Sequence, residues 1–497
     1  MISSTCIVPH AGRMPVQWVK ASLPAWRAAG VHKVVFIGPA GSERLPETDI
    51  KLVRISVGQV FNGESWREAL MEVSTPIVFC INGDAGVVAS VSGLRRLAAV
   101  LTDIGASMVY SHYREQTAEG MVEHPTIDYQ LGSLRDGFDF GPVMAFSTDA
   151  IREAEKRWGP LADTTCGALY DLRLRLSAIS LPVRLPEALY VCLPEERTAG
   201  QQHFDYVDPR NRTAQLEMEQ IVTAHLARIG AKLEPPFDRP PAGTASFPVE
   251  ASVVIPVRNR EKTIADAVHS ALQQKAPFEF NVIVVDNHST DGTTTVLRQL
   301  AAQESRLVHL IPEATDLMIG GCWSLAAASE ACGRVAVQLD SDDLYSSPDT
   351  LRQIVEKMGE GPYAMVVGSY KVVNFNLEDL PPGVIDHREW TRDNGRNNLL
   401  RVNGLGAPRA FLTDLLRAHP FPNVSYGEDY YMGMRLSRHY EIGRIYDSLY
   451  LCRRWEGNTD ANLPLAARNA HDTYKDRLRT LEVIARQRVN LGREAAQ

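Results

Sequence analysis

The sequence has no pair of cysteines at metal-site or redox-motif spacing, and its seven cysteines are scattered over 497 residues. Scattered thiols are typical of a reducing compartment and exclude a small scaffold built on disulfides. No stretch approaches the roughly 18 apolar residues of a membrane span, and the first residues lack the pattern of a signal peptide. We therefore expect a cytoplasmic protein without a transmembrane span, with peripheral contact at the inner membrane face left open.

Acidic residues outnumber basic ones. The chain has 60 Asp and Glu and 52 Lys and Arg, which gives a formal net charge of -8. Such a chain has no global basic field to attract nucleic acid, which we do not expect as a partner. Hydrophobic residues make up 44% and aromatic residues 7%. This composition is typical of globular proteins, and at about 150 residues per domain the length predicts two to four domains.

Prolines are concentrated between residues 233 and 249, where no helical or strand period is visible. Such a composition is typical of a semi-rigid linker. The preceding residues 213–232 have helical spacing and end near Gly230, which predicts a closing helix. The sequence thus divides into a unit over 1–232, a linker over 233–249, a unit over 250–460 and a C-terminal helical segment over 461–497.

The two units share short segments in the same order along the chain. The matches pair Cys6–Pro9 with Val253–Pro256, Val34–Ile37 with Val282–Val285, Gly141–Asp149 with Gly406–Asp414, and Leu189–Cys192 with Leu449–Cys452. Isolated apolar matches arise by chance, whereas a collinear series favours duplication of one domain. Assembly into a homo-oligomer is left open.

Strand and helix patterns alternate through the first half of the second unit. Strands are predicted over 252–257, 281–286, 306–311 and 334–339, and helices over 261–274, 291–303 and 321–332. This alternation predicts an α/β fold with a mostly parallel sheet covered on both faces. Ligands of such sheets bind at the carboxyl ends of the strands.

Acidic residues follow two of these predicted strands. Asp286 ends the second strand, and the run Asp340-Ser341-Asp342-Asp343 follows the fourth. Three carboxylates so close together repel one another unless a cation gathers them, and their hard oxygens suit Mg²⁺ or Mn²⁺. The simpler alternatives are a solvated acidic loop and, at Ser289 or Asp291, a helix cap.

Three segments, Val254–Glu261, Val284–Thr293 and Leu339–Asp343, together resemble the successive signatures of family 2 glycosyltransferases with the GT-A fold. The resemblance covers about 250–460, and the first unit resembles the same fold faintly. It implies two tandem GT-A domains, Rossmann-like with a mostly parallel sheet, joined by the Pro-rich linker. It also implies a UDP-sugar or related nucleotide-sugar donor and a Mn²⁺ or Mg²⁺ ion held by Asp342 and Asp340. The implied donor-binding residues are Pro256, Val257, Arg258, Asn259, Glu261, Asp286, Ser289, Asp291, Asp340 and Ser341.

Glu428 and Asp429 precede a predicted helix and resemble the Glu-Asp motif of the same family, whose Asp is the general base. An acceptor hydroxyl, such as that of a glycan or glycoconjugate, needs a carboxylate to take its proton. Asp429 is therefore predicted to be the base, and Glu428 to contact the acceptor or orient the base. The alternative is that both only stabilise the helix N-terminus.

Arg453 and Arg454 resemble the Arg-rich segment that closes over the donor in this family. Guanidinium groups suit a leaving diphosphate, although a surface arginine pair is the alternative. His471 is a further candidate metal ligand or phosphate contact, but a lone histidine on a helix is more often structural.

The first unit lacks most of these groups at the corresponding positions. Only Asp84 remains of the acidic run, and the other positions carry Gly38, Ala168-Leu169 and Leu193-Pro194. We therefore predict a metal-dependent inverting glycosyltransferase in the second unit, beside a degenerate, non-catalytic first unit. Two alternatives remain, namely a bifunctional polymerase resembling chondroitin and hyaluronan synthases, and a non-catalytic carbohydrate-binding scaffold.

Overall fold

The computed structural model describes residues 3–12, 16–40, 45–193, 211–241, 246–455, 458 and 463–494. The chain divides into two compact units. The first comprises Met1–His203, Thr213–Lys232 and Pro464–Gln497, and the second comprises Phe204–Arg212 and Leu233–Leu463. The sequence predicted a separate C-terminal helical segment over 461–497. In the structure, Pro464–Gln497 belongs to the first unit.

The first unit alternates strands and helices and finishes with two helices distant in sequence. Its elements are β1 (Ser4–Pro9), α1 (Val16–Ala29), β2 (Val31–Gly38), β3 (Lys51–Ser56), α2 (Gly63–Met71), β4 (Ile77–Ile81), a 3₁₀ turn (Gly83–Ala85), β5 (Val87–Ala89), α3 (Val91–Asp103), β6 (Met108–Thr117), β7 (Gly120–His124), β8 (Val143–Ser147), α4 (Thr148–Trp158), α5 (Ala168–Ile179), β9 (Val183–Cys192), α6 (Arg212–Arg228) and α14 (Leu465–Glu494). The predicted closing helix is α6, and Gly230 just beyond it has φ +71°.

The second unit repeats this pattern. Its elements are β10 (Ala251–Val257), α7 (Ile264–Leu272), β11 (Phe280–Asp286), α8 (Thr293–Gln303), β12 (Leu307–Leu310), α9 (Ile319–Ala328), β13 (Val335–Gln338), β14 (Leu344–Tyr345), α10 (Thr350–Gly359), β15 (Tyr363–Asn374), β16 (Asp379–Ile385), α11 (Gly395–Asn398), β17 (Arg409–Leu412), α12 (Thr413–Ala418), α13 (Glu428–His439) and β18 (Glu441–Arg454). Every strand and helix predicted over 252–339 is present.

The two units have the same strand order. The first sheet runs β3-β2-β1-β4-β8-β6-β9-β5 and the second runs β12-β11-β10-β13-β17-β15-β18-β14. Each carries one extra strand at the equivalent place, because β7 pairs with β6 and β16 with β15. The α/β class with two tandem sheets of one kind is confirmed. The segments that match in sequence fall on equivalent strands.

Each sheet combines a run of parallel strands with antiparallel pairs. In the second unit β10, β11, β12 and β13 pair in parallel, whereas β17 pairs antiparallel with both β13 and β15. The sequence pattern revealed the parallel half because strands buried on both faces are continuous apolar runs. The short strand β17 has no such signal.

The parallel half supplies most of the core of the second unit. Strand β11 is buried along its whole length, and β10 is buried except at Pro256. Their β-branched residues pack well on a pleated surface, and Ile264, Val268 and Leu297 from the flanking helices cover them. The carboxyl ends of β10, β11 and β13 consequently meet at one edge of a rigid sheet.

Helix α14 packs on the first unit through polar groups. Asp476 is fully buried and accepts hydrogen bonds from Ser133 Oγ at 2.8 Å and Arg135 Nε at 3.2 Å. The backbone of Gly132 comes so close that a Cβ there would lie 2.1 Å from the Thr480 nitrogen. No helix within the described ranges is long and apolar enough to cross a membrane.

The described part of the Pro-rich segment packs on the second unit. The Leu233 nitrogen donates to Asn397 Oδ1 at 3.0 Å, and the Asp238 nitrogen donates to the His439 carbonyl at 2.8 Å. Phe237 stacks beneath the guanidinium of Arg396. These contacts fix the start of the segment to the second unit, so that part is not a free spacer.

Candidate active site

The loops after β10 and β11 are tied together by side chains that the family resemblance assigns to the donor. Asn259, which has φ 55°, accepts a hydrogen bond through Oδ1 from the Thr290 nitrogen at 2.7 Å. Ser289 Oγ in turn accepts from the Asn259 nitrogen at 3.0 Å. These contacts fix the shape of the strand-end edge, and direct donor contacts of Asn259 and Ser289 stay predictions.

Two carboxylates complete this connection between the loops. Glu261 Oε2 accepts from the Gly292 nitrogen at 2.7 Å, and Asp291 Oδ2 accepts from the Glu261 nitrogen at 3.2 Å. The other oxygen of Asp291 accepts from the Thr293 nitrogen at 3.0 Å at the start of α8. Asp291 thus binds the backbone at the start of α8, which is the simpler of the two roles considered for it. Direct contacts of Glu261 and Asp291 with a donor stay predictions.

Asp286 is wholly buried at the end of β11. Its carboxylate accepts from the Ser289 nitrogen at 3.1 Å and from Thr294 Oγ1 at 2.6 Å, and His309 Nε2 lies 3.3 Å away. Burial alone would raise its pKa, but the hydrogen bonds from Ser289 and Thr294 outweigh burial and lower it. Asp286 stabilises the turn, and contact with a nucleobase would require this turn to move.

The neighbouring strand end presents a cation to solvent. Val257 pairs with Asp286 and is buried, Pro256 is half-buried, and Arg258 is exposed. Arg258 makes no hydrogen bond or ion pair with any residue in the described ranges. A guanidinium left available at the carboxyl end of a parallel strand is suited to a phosphate group.

Asp340 and Ser341 follow β13 at the same edge. Asp340 is exposed, and its Oδ1 accepts a hydrogen bond from Gln338 Nε2 at 2.8 Å. The Asp340 nitrogen donates to Tyr450 Oη at 3.0 Å, and Ser341 is buried. The Asp340 carboxylate is thereby held in place while its surface remains open to a ligand.

Asp342 is partly exposed beside polar donors. Its Oδ2 accepts from Trp455 Nε1 at 3.2 Å and from Asn458 Nδ2 at 3.4 Å, and Arg260 Nε lies 3.9 Å from the same oxygen. Arg260 and Trp455 therefore join the site, although the sequence had not assigned either a role. The Asp342 side chain keeps 15% of its surface exposed.

Asp343 is set apart from the other two carboxylates. It is buried and its Oδ1 accepts from the Arg453 nitrogen at 2.8 Å. Burial, and then the charges of Asp340 and Asp342, raise its pKa well above the usual value, so a proton on Asp343 relieves their repulsion. Of the three carboxylates, Asp343 points away from the surface, and Asp340 and Asp342 remain the predicted cation ligands.

Asp340 and Asp342 fit a hard divalent cation. Across the described residues no group of three or more His, Cys, Asp or Glu side chains is placed to hold a metal ion. Magnesium and manganese ions commonly bind through one or two carboxylates together with substrate phosphates, and two outward carboxylates match that use. His471 lies on α14 in the first unit, and its role toward a metal or a phosphate stays a prediction.

Arg453 lies beneath the acidic loop. Its side chain is 3% exposed, its Nε donates to the Asp342 carbonyl, and its Nη1 pairs with Asp266 at 3.0 Å. The guanidinium also lies 4.8 Å from the ring centre of Phe375. Arg453 therefore braces the loop from below, and direct contact with a diphosphate by Arg453 or the half-buried Arg454 stays a prediction.

Glu428 and Asp429 lie in the first turn of α13, as predicted. Asp429 Oδ1 accepts from the Tyr430 nitrogen at 2.7 Å, and Oδ2 pairs with Arg409. Glu428 Oε2 is buried and makes no hydrogen bond. Burial, and then the charge of Asp429, raise the pKa of Glu428 to about 8, so its carboxyl group is neutral at pH 7 and able to donate a hydrogen bond.

This raised pKa predicts a pH-dependent effect on stability. Because the pKa of Glu428 is higher in the folded than in the unfolded chain, its contribution to stability is lost as pH rises from about 4.5 through about 8. Glu428→Gln should therefore raise the melting temperature at pH 8.5 and leave it nearly unchanged at pH 4.5. Glu356→Gln, an exposed change on α10, is the control in the same thermal scans. An equal shift at both pH values would contradict the assignment.

Two further residues of the site, Arg409 and Gln338, were missed by sequence reasoning. Arg409 begins β17 and pairs with Asp429, and its nitrogen donates to Gln338 Oε1 at 3.2 Å. A single charge at the start of a short apolar strand and a glutamine at the end of another are weak signals. Only the pairing of β13 with β17 brings them together.

The corresponding edge of the first unit is filled by its own residues. A Cβ at Gly38, which ends β2, would lie 2.2 Å from Cε1 of His10, and His10 is 2% exposed. Asp84 accepts from the nitrogens of Ala11 at 2.7 Å and Gly12 at 3.2 Å. The histidine ring and the loop after β1 occupy the place where the second unit has Asp286 and an open carboxylate pair.

Ala168 and Leu169 occupy the positions of the first unit that correspond to Glu428 and Asp429, and neither carries a carboxylate. Ala168 begins α5 and is fully buried, and Leu169 beside it packs partly against the core. Leu193 follows β9 and is exposed, whereas Pro194 lies outside the described residues.

Gly38 provides a direct test of this filled edge. Gly38→Ala should destabilise the protein by about 1–3 kcal/mol, because the new methyl group overlaps the buried His10 ring. Adding His10→Ala should recover much of that loss in chemical denaturation. Gly58→Ala is the control, since nothing lies within 4 Å of a Cβ there. Equal effects of Gly38→Ala and Gly58→Ala would show that the ring does not fill this place.

Part of the second unit is similar in sequence to known glycosyltransferases. Residues 252–411 match the family model described as Glycosyl transferase family 2. Glycosyltransferase AglD of Haloferax volcanii is 32% identical over 139 residues, which are 27% of this chain and 22% of that protein. The 4,4'-diaponeurosporenoate glycosyltransferase of Staphylococcus aureus (strain MRSA252) is 29% identical over 120 residues, 23% of this chain and 30% of that protein.

The chain therefore spans less than a third of the length of either relative. Among solved structures, S. aureus TarS in complex with UDP-GlcNAc aligns at 21% identity with a TM-score of 0.37, covering 48% of this chain and 72% of that one.

Proposed function

Because residues 252–411 belong to glycosyl transferase family 2, we propose that the second unit transfers a sugar from a nucleotide-sugar donor to an acceptor hydroxyl group. The observation that carries this proposal is the arrangement at the carboxyl edge of the sheet. There the outward carboxylates Asp340 and Asp342 follow β13, and Asp340 is connected through Gln338 and Arg409 to the paired carboxylate Asp429.

The donor side of the proposed site needs positive charge for a diphosphate. Arg258 and Arg260 supply it from the protein, and a Mn²⁺ or Mg²⁺ ion bound by Asp340 and Asp342 would offset negative charge on the leaving group. A UDP-sugar is the proposed donor. We assign this role to the chain because the exposed Arg258 and the open carboxylates offer opposite charges to one ligand.

The acceptor side needs a base. Asp429 is proposed to take the proton from the acceptor hydroxyl as that oxygen attacks the sugar, while the neutral Glu428 donates a hydrogen bond to the acceptor or the sugar. A single carboxylate acting on the attacking oxygen supports one direct displacement. The product is therefore expected to have the inverted anomeric configuration. A glycan or glycoconjugate is the proposed acceptor class.

The first unit is proposed to be a non-catalytic copy. Its base position lacks a carboxylate, and the ring of His10 and the amides bound to Asp84 close the equivalent edge. These features argue against the bifunctional polymerase. The carboxylate pair of the second unit argues against a scaffold without chemistry.

The experiment that tests the proposed function measures nucleoside diphosphate released from a panel of UDP-, GDP- and CMP-linked sugars, with and without Mn²⁺. Water serves as the acceptor first, and simple sugars follow. Metal-dependent release from at least one uridine donor is expected. No release from any donor in the panel, with metal and sugar acceptors present, would contradict the proposal.

A further inference from the structure

Arg409 holds the candidate base through direct contacts. One guanidinium nitrogen of Arg409 pairs with Oδ2 of Asp429, and the Tyr430 nitrogen binds the other carboxylate oxygen at 2.7 Å. The two side chains of the pair remain 16% and 25% exposed, so an acceptor can still reach the carboxylate. Both oxygens of Asp429 are thus fixed in direction without being buried.

The strand that carries Arg409 is itself held on both sides. Strand β17 lies between β13 and β15, with Arg409 opposite Val367. The buried Gln338 amide accepts from the Arg409 nitrogen at 3.2 Å and donates to Asp340 Oδ1 at 2.8 Å. The Gln338 side chain therefore connects the Arg409 backbone to the Asp340 carboxylate. The Arg409 side chain extends this connection to Asp429.

The charge of Arg409 is shared among several groups. Burial alone would lower the pKa of Arg409, but the charges of Asp429 and Asp340 outweigh burial and raise it. Without the guanidinium, the carboxylates of Asp429 and Asp340 would lose the cation that offsets both of their charges. Repulsion from Asp340 would then favour turning the Asp429 side chain away from the direction that the Tyr430 nitrogen and Arg409 set.

We propose that Arg409 is a positioning residue for sugar transfer, which fixes the Asp429 carboxylate relative to the donor carboxylate Asp340. This inference rests on the proposed function. Displacement of a reacting group by about 1 Å can slow a reaction by about 10²-fold, so the expected defect lies in turnover rather than in donor binding. Lysine keeps the charge but loses the planar, forked donors, and it should restore only part of the rate.

The test compares Arg409→Ala, Arg409→Gln and Arg409→Lys with wild type in the full chain. Initial rates give kcat and KM for the donor that wild type uses, and calorimetry gives the affinity for its nucleoside diphosphate with Mn²⁺. Arg334→Gln is the matched control, because Arg334 also pairs with a carboxylate, Glu250, but precedes β13 at the opposite end of that strand.

The expected result is a fall in kcat of about 10²-fold for Arg409→Ala and Arg409→Gln, with donor KM and nucleotide affinity nearly unchanged. Added methylguanidinium should restore part of the rate of Arg409→Ala, which a merely structural role would not allow. Arg409→Lys should lie between wild type and Arg409→Gln, and Arg334→Gln should match wild type.

The outcomes that contradict the inference differ from those that contradict the proposed function. If wild type transfers sugar and Arg409→Gln keeps most of its kcat, the positioning role is wrong and the proposed function stands. A loss of rate that methylguanidinium leaves unchanged and that accompanies a lower melting temperature would assign Arg409 a structural role only. If wild type turns over no donor, the proposed function fails and the inference falls with it.

Discussion

Asp429→Asn is expected to slow sugar transfer by about 10²–10⁴-fold, the usual contribution of a general base. The amide has the shape of the carboxylate and still accepts from the Tyr430 nitrogen, so α13 should keep its first turn. Donor affinity should therefore remain near that of wild type. The measurements are kcat with a sugar acceptor and calorimetric binding of the nucleoside diphosphate.

The control for this variant is Asp414→Asn, because Asp414 also lies in the first turn of a helix of the second unit, α12. It should transfer sugar at the wild-type rate. A retained kcat in Asp429→Asn would contradict the base assignment. A product with the anomeric configuration of the donor would contradict the single displacement.

Asp342→Ala is expected to abolish the metal-dependent part of nucleoside diphosphate binding. The substitution removes one of the two outward carboxylates and leaves Trp455 Nε1 and Asn458 Nδ2 without their shared acceptor. A divalent ion would then lose one of its two proposed protein ligands, so its contribution to nucleotide binding should disappear at ordinary Mn²⁺ concentrations. Titrations of UDP with and without Mn²⁺ should give the same weak affinity for the variant.

The control for the second prediction is Asp349→Ala, since Asp349 lies in the same unit directly before α10. It should bind UDP more tightly with Mn²⁺ than without, as wild type does. An Asp342→Ala variant that also keeps this difference would show that the metal binds elsewhere.

The fold was largely predictable because the parallel strands of each sheet are recognisable in the sequence as short apolar runs. Buried strands such as β10 and β11 are runs of β-branched residues, and each is followed by polar residues where the chain leaves the sheet. The antiparallel half was not predictable in detail. Its strands β16 and β17 are short or partly exposed and have no clear period.

The candidate site was predictable as a set of positions but not as a set of contacts. The carboxylates after β13 and at the start of α13 lie where the sequence indicated. Asp343, in contrast, turns inward to the Arg453 nitrogen, a group 110 residues away. Asn259 and Glu261 bind the next loop, and the pair of Arg409 and Asp429 depends on tertiary packing.

The measurement that tests the central claim most directly compares donor turnover in Asp342→Ala and Asp84→Ala, which occupy corresponding positions of the two units. Nucleoside diphosphate release from a UDP-sugar in the presence of Mn²⁺ is the readout. If the second unit is the transferase and the first is inactive, Asp342→Ala loses turnover and Asp84→Ala keeps the wild-type rate. Turnover that persists in Asp342→Ala and disappears in Asp84→Ala would place the chemistry in the first unit and contradict this account.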